Sequence, residues 1–102
     1  MRVYINGKAY DTETAKTIGW FENGYYPNDF RYFKEVLCQK QNGEYFLYGV
    51  GNAASKYQVP CGSNNWSGSE VIKPFTKEEA MAWAEKRLIA EQYIEAFGEP
   101  EE

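Results

Sequence analysis

The segment Arg31–Gly51, RYFKEVLCQKQNGEYFLYGVG, constrains the fold more than any other part of the sequence. Two β-prone runs lie on either side of Asn42-Gly43, a dipeptide that accepts positive φ angles, so we predict a hairpin with a type I′ turn. The second run alternates between two faces that are both largely apolar, which predicts the central strand of a sheet. The two faces carry Tyr45, Leu47 and Gly49 on one side and Phe46, Tyr48 and Val50 on the other.

The N-terminal segment shows a second hairpin signal. Asn6-Gly7 lies between alternating residues, so we predict that Val3–Ile5 pairs with Lys8–Tyr10. The residues that follow allow two interpretations. Asp11–Thr14 resembles the start of a helix, with an acidic N-cap, whereas Thr17–Phe21 is equally compatible with a strand.

The C-terminal segment predicts a strand followed by helix. Ser69–Phe75 is β-prone, but Pro74 argues against a central position in the sheet. Thr76–Glu79 has the pattern of a capping box, and the helical periodicity after it slips around Ile89–Glu91 before Gly98 ends it. We therefore predict an α+β fold: a four- to five-stranded, mostly antiparallel sheet with a kinked or split C-terminal helix on one face. We predict that residues 1–98 form one domain and that residues 99–102 form an acidic disordered tail.

Length and composition place the chain among small globular proteins. With 102 residues, it fits a single domain. It has no run of about 18 apolar residues that could cross a membrane, and its N-terminus lacks the apolar region of a signal peptide. We therefore predict a cytoplasmic protein with two free thiols. Cys38 packs as a small hydrophobic residue and Cys61 lies in a loop.

The charge balance disfavours nucleic acid and favours protein as a partner. Fifteen acidic and eleven basic residues give a net charge of −4, and the basic residues are scattered rather than clustered. An acidic protein can instead bind a basic surface on another protein. Eighteen percent of the residues are aromatic, including nine tyrosines. We expect most of these rings to fill the core and the rest to form a contact face, which also makes a homodimer reasonable.

The residue types present argue against an enzyme. The sequence has no histidine, which removes the commonest general base and the usual nucleophile partners, and we predict no metal and no cofactor. Gly49–Ala54 matches G-x-G-x-x-A, but the expected helix and parallel strand do not follow, so we reject a dinucleotide site. Glu35 and Glu44 could face each other across the hairpin, and we interpret them as a solvated pair.

The long Gly- and Ser-rich stretch at residues 49–70 is the predicted binding region. Loops of this length in a compact domain are usually functional. Trp66 is either an anchor under the loop or an exposed contact residue. We predict a partner-binding set of two aromatic anchors, two hydrogen-bonding side chains, three acidic residues and two tyrosines from the preceding irregular stretch. The aromatic anchors are Tyr57 and Trp66, and the hydrogen-bonding side chains are Ser55 and Asn65. The acidic residues are Asp29, Glu44 and Glu70, and the tyrosines are Tyr25 and Tyr26.

Several segments together resemble a group of small acidic proteins encoded on plasmids, integrative elements and phages of Gram-positive bacteria. The segments are KAYDTETA (8–15), GEYFLYGVG (43–51), SKY (55–57), WSGSE (66–70), TKEEAMAWAE (76–85) and YIEAFG (93–98). Small acidic proteins of such elements include anti-CRISPR inhibitors of RNA-guided nucleases. The resemblance therefore implies an inhibitor that occludes the nucleic-acid-binding surface of a bacterial immunity nuclease. The alternatives are a binding protein for a nucleotide signal and an accessory protein of the element.

Overall fold

The computed structural model describes residues 1–101; Glu102, the last residue of the predicted acidic tail, lies outside them. Over these residues the chain forms strands and then helices. The elements are β1 (Arg2–Ile5), β2 (Lys8–Asp11), β3 (Lys16–Glu22), β4 (Phe33–Gln39), β5 (Tyr45–Gly51), β6 (Val59–Pro60), β7 (Trp66–Ser67), β8 (Ser69–Phe75), α1 (Lys77–Arg87) and α2 (Ala90–Phe97).

The main sheet has four antiparallel strands in the order β3-β4-β5-β8. Strand β5 is central, as its two apolar faces predict, with Leu37 opposite Leu47 on one side and Ile72 opposite Tyr48 on the other. Strand β8 is an outer strand, consistent with Pro74, which has no N–H to donate within a ladder. The predicted α+β class and sheet size are confirmed.

The two Asn-Gly dipeptides form different turns. Asn6 and Gly7 have φ angles of 52° and 77°, as a type I′ hairpin turn requires. At the second site only Gly43 has a positive φ, so the predicted type I′ turn there is wrong. The Asn42 side chain accepts the Glu44 N–H at 3.0 Å and donates to the Glu44 carboxylate at 2.7 Å. These local bonds hold Asn42 in an ordinary backbone conformation within a longer loop.

The ambiguous segment after β2 is a turn followed by a strand. The Asp11 side chain accepts the Glu13 N–H at 2.9 Å, and no helix follows before β3 begins. The strand interpretation of Thr17–Phe21 is therefore correct, and the helical one is wrong. A register shift between Thr17 and Gly19 marks a β-bulge in β3. A Cβ atom at Gly19 would lie 2.6 Å from a methyl of Leu88, so glycine allows helix and strand to approach closely.

The sheet has a hydrophobic core on each face. On one face the helices cover it, and on the other the β1–β2 hairpin does. The helix-side core contains Leu37, Tyr45, Leu47, Ala80, Trp83, Ala84 and Tyr93, and the hairpin-side core contains Tyr10, Cys38, Phe46 and Ile72. Large aromatic rings account for much of this buried area, which explains how a chain of this length fills two cores.

The helical layer begins and breaks where the sequence predicts. Thr76 Oγ1 accepts the Glu79 N–H at 3.1 Å and the Thr76 N–H donates to the Glu79 carboxylate at 2.9 Å, completing the capping box. The periodicity slip near Ile89 is a true break between α1 and α2. Gly98, with φ of 82°, ends α2. Neither of the helices within residues 1–101 is long and apolar enough to span a bilayer.

The two thiols differ in environment as predicted, and the difference is measurable. Cys38 is buried under the hairpin, and this burial raises the pKa of its thiol to about 11, whereas Cys61 is exposed.

We expect Ellman's reagent to modify one thiol in the folded protein and two after urea denaturation. Cys61→Ser should remove the fast reaction and leave only the denaturation-dependent one. Rapid modification of both thiols in the folded protein would contradict this packing of the hairpin.

Candidate functional site

Two long connections lie together at one end of the main sheet. One connection, residues 23–32, joins β3 to β4, and the other, residues 52–68, joins β5 to β8 and contains the short β6–β7 hairpin. The ladder places Gly51 opposite both Phe33 and Ser69, so both connections leave the sheet at the same end. We call these two connections together the loop end.

Hydrogen bonds join the two connections into one unit. The Asn52 side-chain amide donates to the carbonyl oxygens of Pro27 at 2.9 Å and Asp29 at 2.8 Å. The Ala54 N–H donates to the Phe30 carbonyl at 2.8 Å. Because these bonds satisfy backbone groups in both connections, each segment fixes the course of the other.

The loop end exposes large aromatic side chains. Tyr26 is 81% exposed, Phe30 74% and Trp66 54%, and Tyr25 is exposed as well. Together with Val59, five of the nine strongly exposed large hydrophobic residues within residues 1–101 belong to the loop end. Trp66 is thus a surface residue in β7 rather than an anchor tucked beneath the loop. Such a concentration of exposed apolar area is typical of an interaction site.

An open cavity lies beside Tyr26 and Phe30. It has a volume of about 570 Å³ and is lined by Tyr26, Asn28, Asp29, Phe30 and Arg31. Two parallel bonds of 3.0 and 2.8 Å join the Arg31 guanidinium to the Asp29 carboxylate, and the guanidinium carbon lies 4.2 Å from the Tyr25 ring centre. Hydrogen bonds from Arg31 lower the pKa of Asp29 to about 2. This charged pair is therefore formed at neutral pH.

Beneath the loop end, a buried carboxylate gathers donors from two other elements. Glu35 in β4 is only 1% exposed. Its Oε2 accepts hydrogen bonds from the Tyr57 hydroxyl at 2.5 Å and from Lys56 Nζ at 2.8 Å. Its Oε1 accepts one from Trp83 Nε1 at 3.0 Å, and Arg87 Nε lies 3.9 Å away. Glu35 thus links the sheet, the second connection and α1 at one point.

The electrostatics of this cluster keep Glu35 charged. Burial raises the pKa of the Glu35 carboxyl, but hydrogen bonds from Lys56, Tyr57 and Trp83 more than offset it, so the pKa lies below its ordinary value. Burial and the neighbouring Glu35 charge raise the pKa of Tyr57, so its hydroxyl stays a donor. The buried charge is therefore compensated by bonds to three side chains.

Gly49 makes room for the Tyr57 ring. A Cβ atom at Gly49 would overlap the Tyr57 ring, so any larger residue at this position would displace the ring. Ser55 supports the same turn by donating to the Asn52 carbonyl at 2.8 Å and accepting the Tyr57 N–H at 3.1 Å. Both Ser55 and Tyr57 are buried, so in this structure they shape the connection from within and contribute no exposed surface to the predicted contact set.

The other predicted site residues are only partly brought together. Asn65 is at the loop end, exposed, and its carbonyl accepts the Cys61 N–H at 2.9 Å. Glu70 is exposed on β8, two residues beyond the end of the second connection, and accepts a hydrogen bond from the Tyr48 hydroxyl. Glu44 lies at the opposite end of the sheet, in the β4–β5 loop.

Glu44 and Glu35 do not form the carboxylate pair considered from the sequence. Glu35 lies opposite Gly49 in the ladder and is buried, so the solvated-pair interpretation is wrong. Glu44 is bound by Lys8 Nζ at 2.6 Å and Lys40 Nζ at 3.3 Å. These hydrogen bonds, with one from Asn42, lower the pKa of Glu44 to about 2.

Residues 1–101 contain no group of three or more histidine, cysteine, aspartate or glutamate side chains arranged to hold a metal ion. No family model, curated protein or solved structure matches the chain. The geometry of the loop end and the charge of the surface therefore carry the functional argument.

The Tyr57 hydroxyl should contribute measurably to stability. Tyr57→Phe keeps the ring but leaves the buried Glu35 with one donor fewer, so we expect the free energy of unfolding to fall by about 2 kcal/mol. Tyr26→Phe is the matched control, because its hydroxyl is at an exposed position, and it should change stability by less than about 0.5 kcal/mol. Urea unfolding followed by tryptophan fluorescence measures both. Equal effects of the two variants would mean that the Glu35 bond contributes nothing.

Glu35 should also make stability depend on acidity. Its pKa is lower in the folded than in the unfolded chain, so its contribution is present above its ordinary value of 4.5 and is lost as the pH falls through the folded value. Glu35→Gln should cost about 3 kcal/mol at neutral pH and flatten the stability profile below pH 4.5. Part of the dependence of stability on pH should remain in this variant, because the pKa values of Asp29 and Glu44 are also lowered in the folded chain. Exposed Glu13→Gln should leave both the stability and the slope unchanged.

Proposed function

We propose that this protein binds a protein partner through the loop end and acts by covering a surface of that partner. The observation that carries this proposal is a group of exposed aromatic residues on two connections that hydrogen bonds join to each other. These residues are Tyr25, Tyr26, Phe30 and Trp66. Tyrosine and tryptophan are enriched at the energetic centres of protein interfaces, because one side chain provides both apolar area and a polar group.

The hydrogen bonds beneath these aromatic residues favour binding of a partner. Asn52 joins the two connections, and Glu35 holds the second of them to the sheet and to α1 through Tyr57. A surface that is ordered before it meets a partner loses less conformational entropy on binding. The buried residues Ser55 and Tyr57 thus support the proposal indirectly, by ordering the exposed ones.

Occlusion is favoured over catalysis by the chemistry of the loop end. Its charged pair, Arg31 and Asp29, is joined by two hydrogen bonds, so neither group is free to act as a general acid or base. The whole sequence lacks histidine. A protein with these groups acts most simply by blocking access to a surface.

The resemblance of the sequence to small acidic proteins of mobile elements supports a partner class. On this basis we propose an inhibitor that is carried by a mobile element and whose target is an RNA-guided nuclease of bacterial immunity. The nucleic-acid-binding surface of such a nuclease is basic, and the net charge of −4 favours the long-range approach of the whole protein to it, while the contact at the loop end is made by aromatic side chains. The site of action is then the cytoplasm, where these nucleases work.

A second candidate, a binding protein for a nucleotide signal, is favoured only by the cavity beside Arg31. Its volume of about 570 Å³ would accommodate a nucleotide. However, Arg31 is already bound by the Asp29 carboxylate, which would repel a phosphate group. We therefore place the protein partner first.

The test compares two sets of exposed aromatic residues. Purified protein is mixed with an RNA-guided nuclease and its guide, and co-elution and target cleavage are measured. The triple variant Tyr26→Ala/Phe30→Ala/Trp66→Ala should weaken binding and inhibition at least tenfold, since a tenfold loss is about 1.4 kcal/mol, less than one interface hot spot. The control Tyr4→Ala/Trp20→Ala removes similarly exposed rings from β1 and β3 and should inhibit like the wild type.

Two results would overturn the proposal at different levels. A triple variant with wild-type stability and wild-type inhibition would exclude the loop end as the contact surface. A wild-type protein that binds no nuclease, guide complex or other immunity component would exclude the inhibitor function itself.

A further inference from the structure

The negative charge of the protein is concentrated in its C-terminal part, residues 77–102. Residues 77–102 contain eight acidic and three basic residues, a net charge of −5, whereas residues 1–76 contain seven acidic and eight basic residues, a net charge of +1. Of the −5, the sequence of the two helices, residues 77–97, contributes −2 and residues 98–102 contribute −3. The helical layer therefore provides the acidic surface of the molecule, and the loop end provides the aromatic one.

The carboxylates of the helical layer are not neutralised within the described chain. Among residues 1–101, the ion pairs involve the carboxylates of Asp11, Asp29, Glu35 and Glu44, all of them before α1. Glu79 is engaged in the capping box, and Glu85 receives only a long bond of 3.4 Å from the Tyr93 hydroxyl. The acidic side chains of both helices are exposed.

An apolar groove runs between the helices on this acidic surface. It has a volume of about 380 Å³ and is lined mainly by Leu88, Ala90, Tyr93, Ile94 and Pro100. Two exposed carboxylates also line it. One is Glu85 in α1, and the other is Glu99, which with Pro100 belongs to the segment that the sequence predicts to be a disordered tail and that in the structure lies beside the groove. Ile89, in the break between the helices, is 62% exposed next to the lining residues and adds apolar surface.

We propose that this groove binds a basic segment of a partner protein. An apolar side chain of the segment inserts between α1 and α2, and flanking lysine or arginine residues pair with Glu85 and Glu99. The apolar lining provides the favourable burial, and the unpaired carboxylates select the sign of charge that can approach. This surface is separate from the loop end, so the inference does not depend on the proposed function.

The charge of the helical layer argues against the other occupants. A second copy of the chain would form a two-fold interface and place one acidic surface against another. Nucleic acids and anionic membranes carry negative charge and would be repelled by the same carboxylates. A basic protein segment is the occupant whose charge and apolar content both complement the groove.

A synthetic helical peptide provides the probe. The peptide carries leucine at every third or fourth position and lysine elsewhere, with a fluorescein label for anisotropy measurements at physiological salt. Two control peptides replace either all leucines with serine or all lysines with glutamate. The leucine–lysine peptide should bind at least tenfold more tightly than either control, because the groove requires both features.

Matched variants locate the binding. Glu85→Lys/Glu99→Lys should weaken binding of the leucine–lysine peptide at least tenfold. Glu13→Lys/Glu22→Lys changes the net charge equally at exposed positions outside the lining and should weaken it less than threefold. Ala90→Gln partly fills the groove without changing its charge and should also weaken binding, which a purely electrostatic attraction would not predict.

Three outcomes would overturn the inference: no binding of the leucine–lysine peptide, equal binding of the serine control, or equal losses in the two charge-reversal pairs. The loop-end triple variant should bind the peptide like the wild type. A loss of nuclease inhibition in that variant with intact peptide binding separates the two surfaces experimentally.

Discussion

A buried carboxylate organises this molecule. Glu35 lies in β4 with almost no exposure, and it draws Tyr57 and Lys56 from one side and Trp83 and Arg87 from another. A buried charge without partners would destabilise the fold by several kcal/mol, so the strand, the connection and the helix must come together to compensate it. The course of the second connection, and with it the position of the loop end, follows from this requirement.

The sequence suggested a single face that is both acidic and aromatic. In the structure, the acidic residues and the exposed aromatic residues lie on two different surfaces. The aromatic residues gather at the loop end, where Asp29 is neutralised by Arg31. Glu44 is remote and neutralised by lysines, and most of the carboxylates outside ion pairs belong to the helices and the segment after them. If both surfaces bind one partner, that partner presents an apolar patch and a basic segment at separate positions. If they bind different partners, the protein can bridge them.

Local patterns predicted the strands, the capping box and the helix break, because each depends on residues a few positions apart. The Glu35 cluster was missed because the residues that donate hydrogen bonds to Glu35 lie 21 to 48 residues away along the chain. Two signals could have revealed it. Glu35 is in phase with the core residue Leu37, so alternation alone places it on the helix-covered face. Gly49 within an apolar central strand indicates that another group approaches closely.

The two outer strands of the sheet also limit how a partner can associate. The bulge at Thr17/Gly19 interrupts the regular spacing of β3, and Pro74 removes a donor from β8. Both features discourage a foreign strand from extending a sheet. Association by strand addition, which is tolerant of sequence and can proceed to aggregation, is therefore disfavoured at either edge. A partner must therefore be recognised through side chains, which discriminate between partners. Because neither edge favours strand addition, the exposed aromatic residues carry a lower risk of self-assembly into fibres.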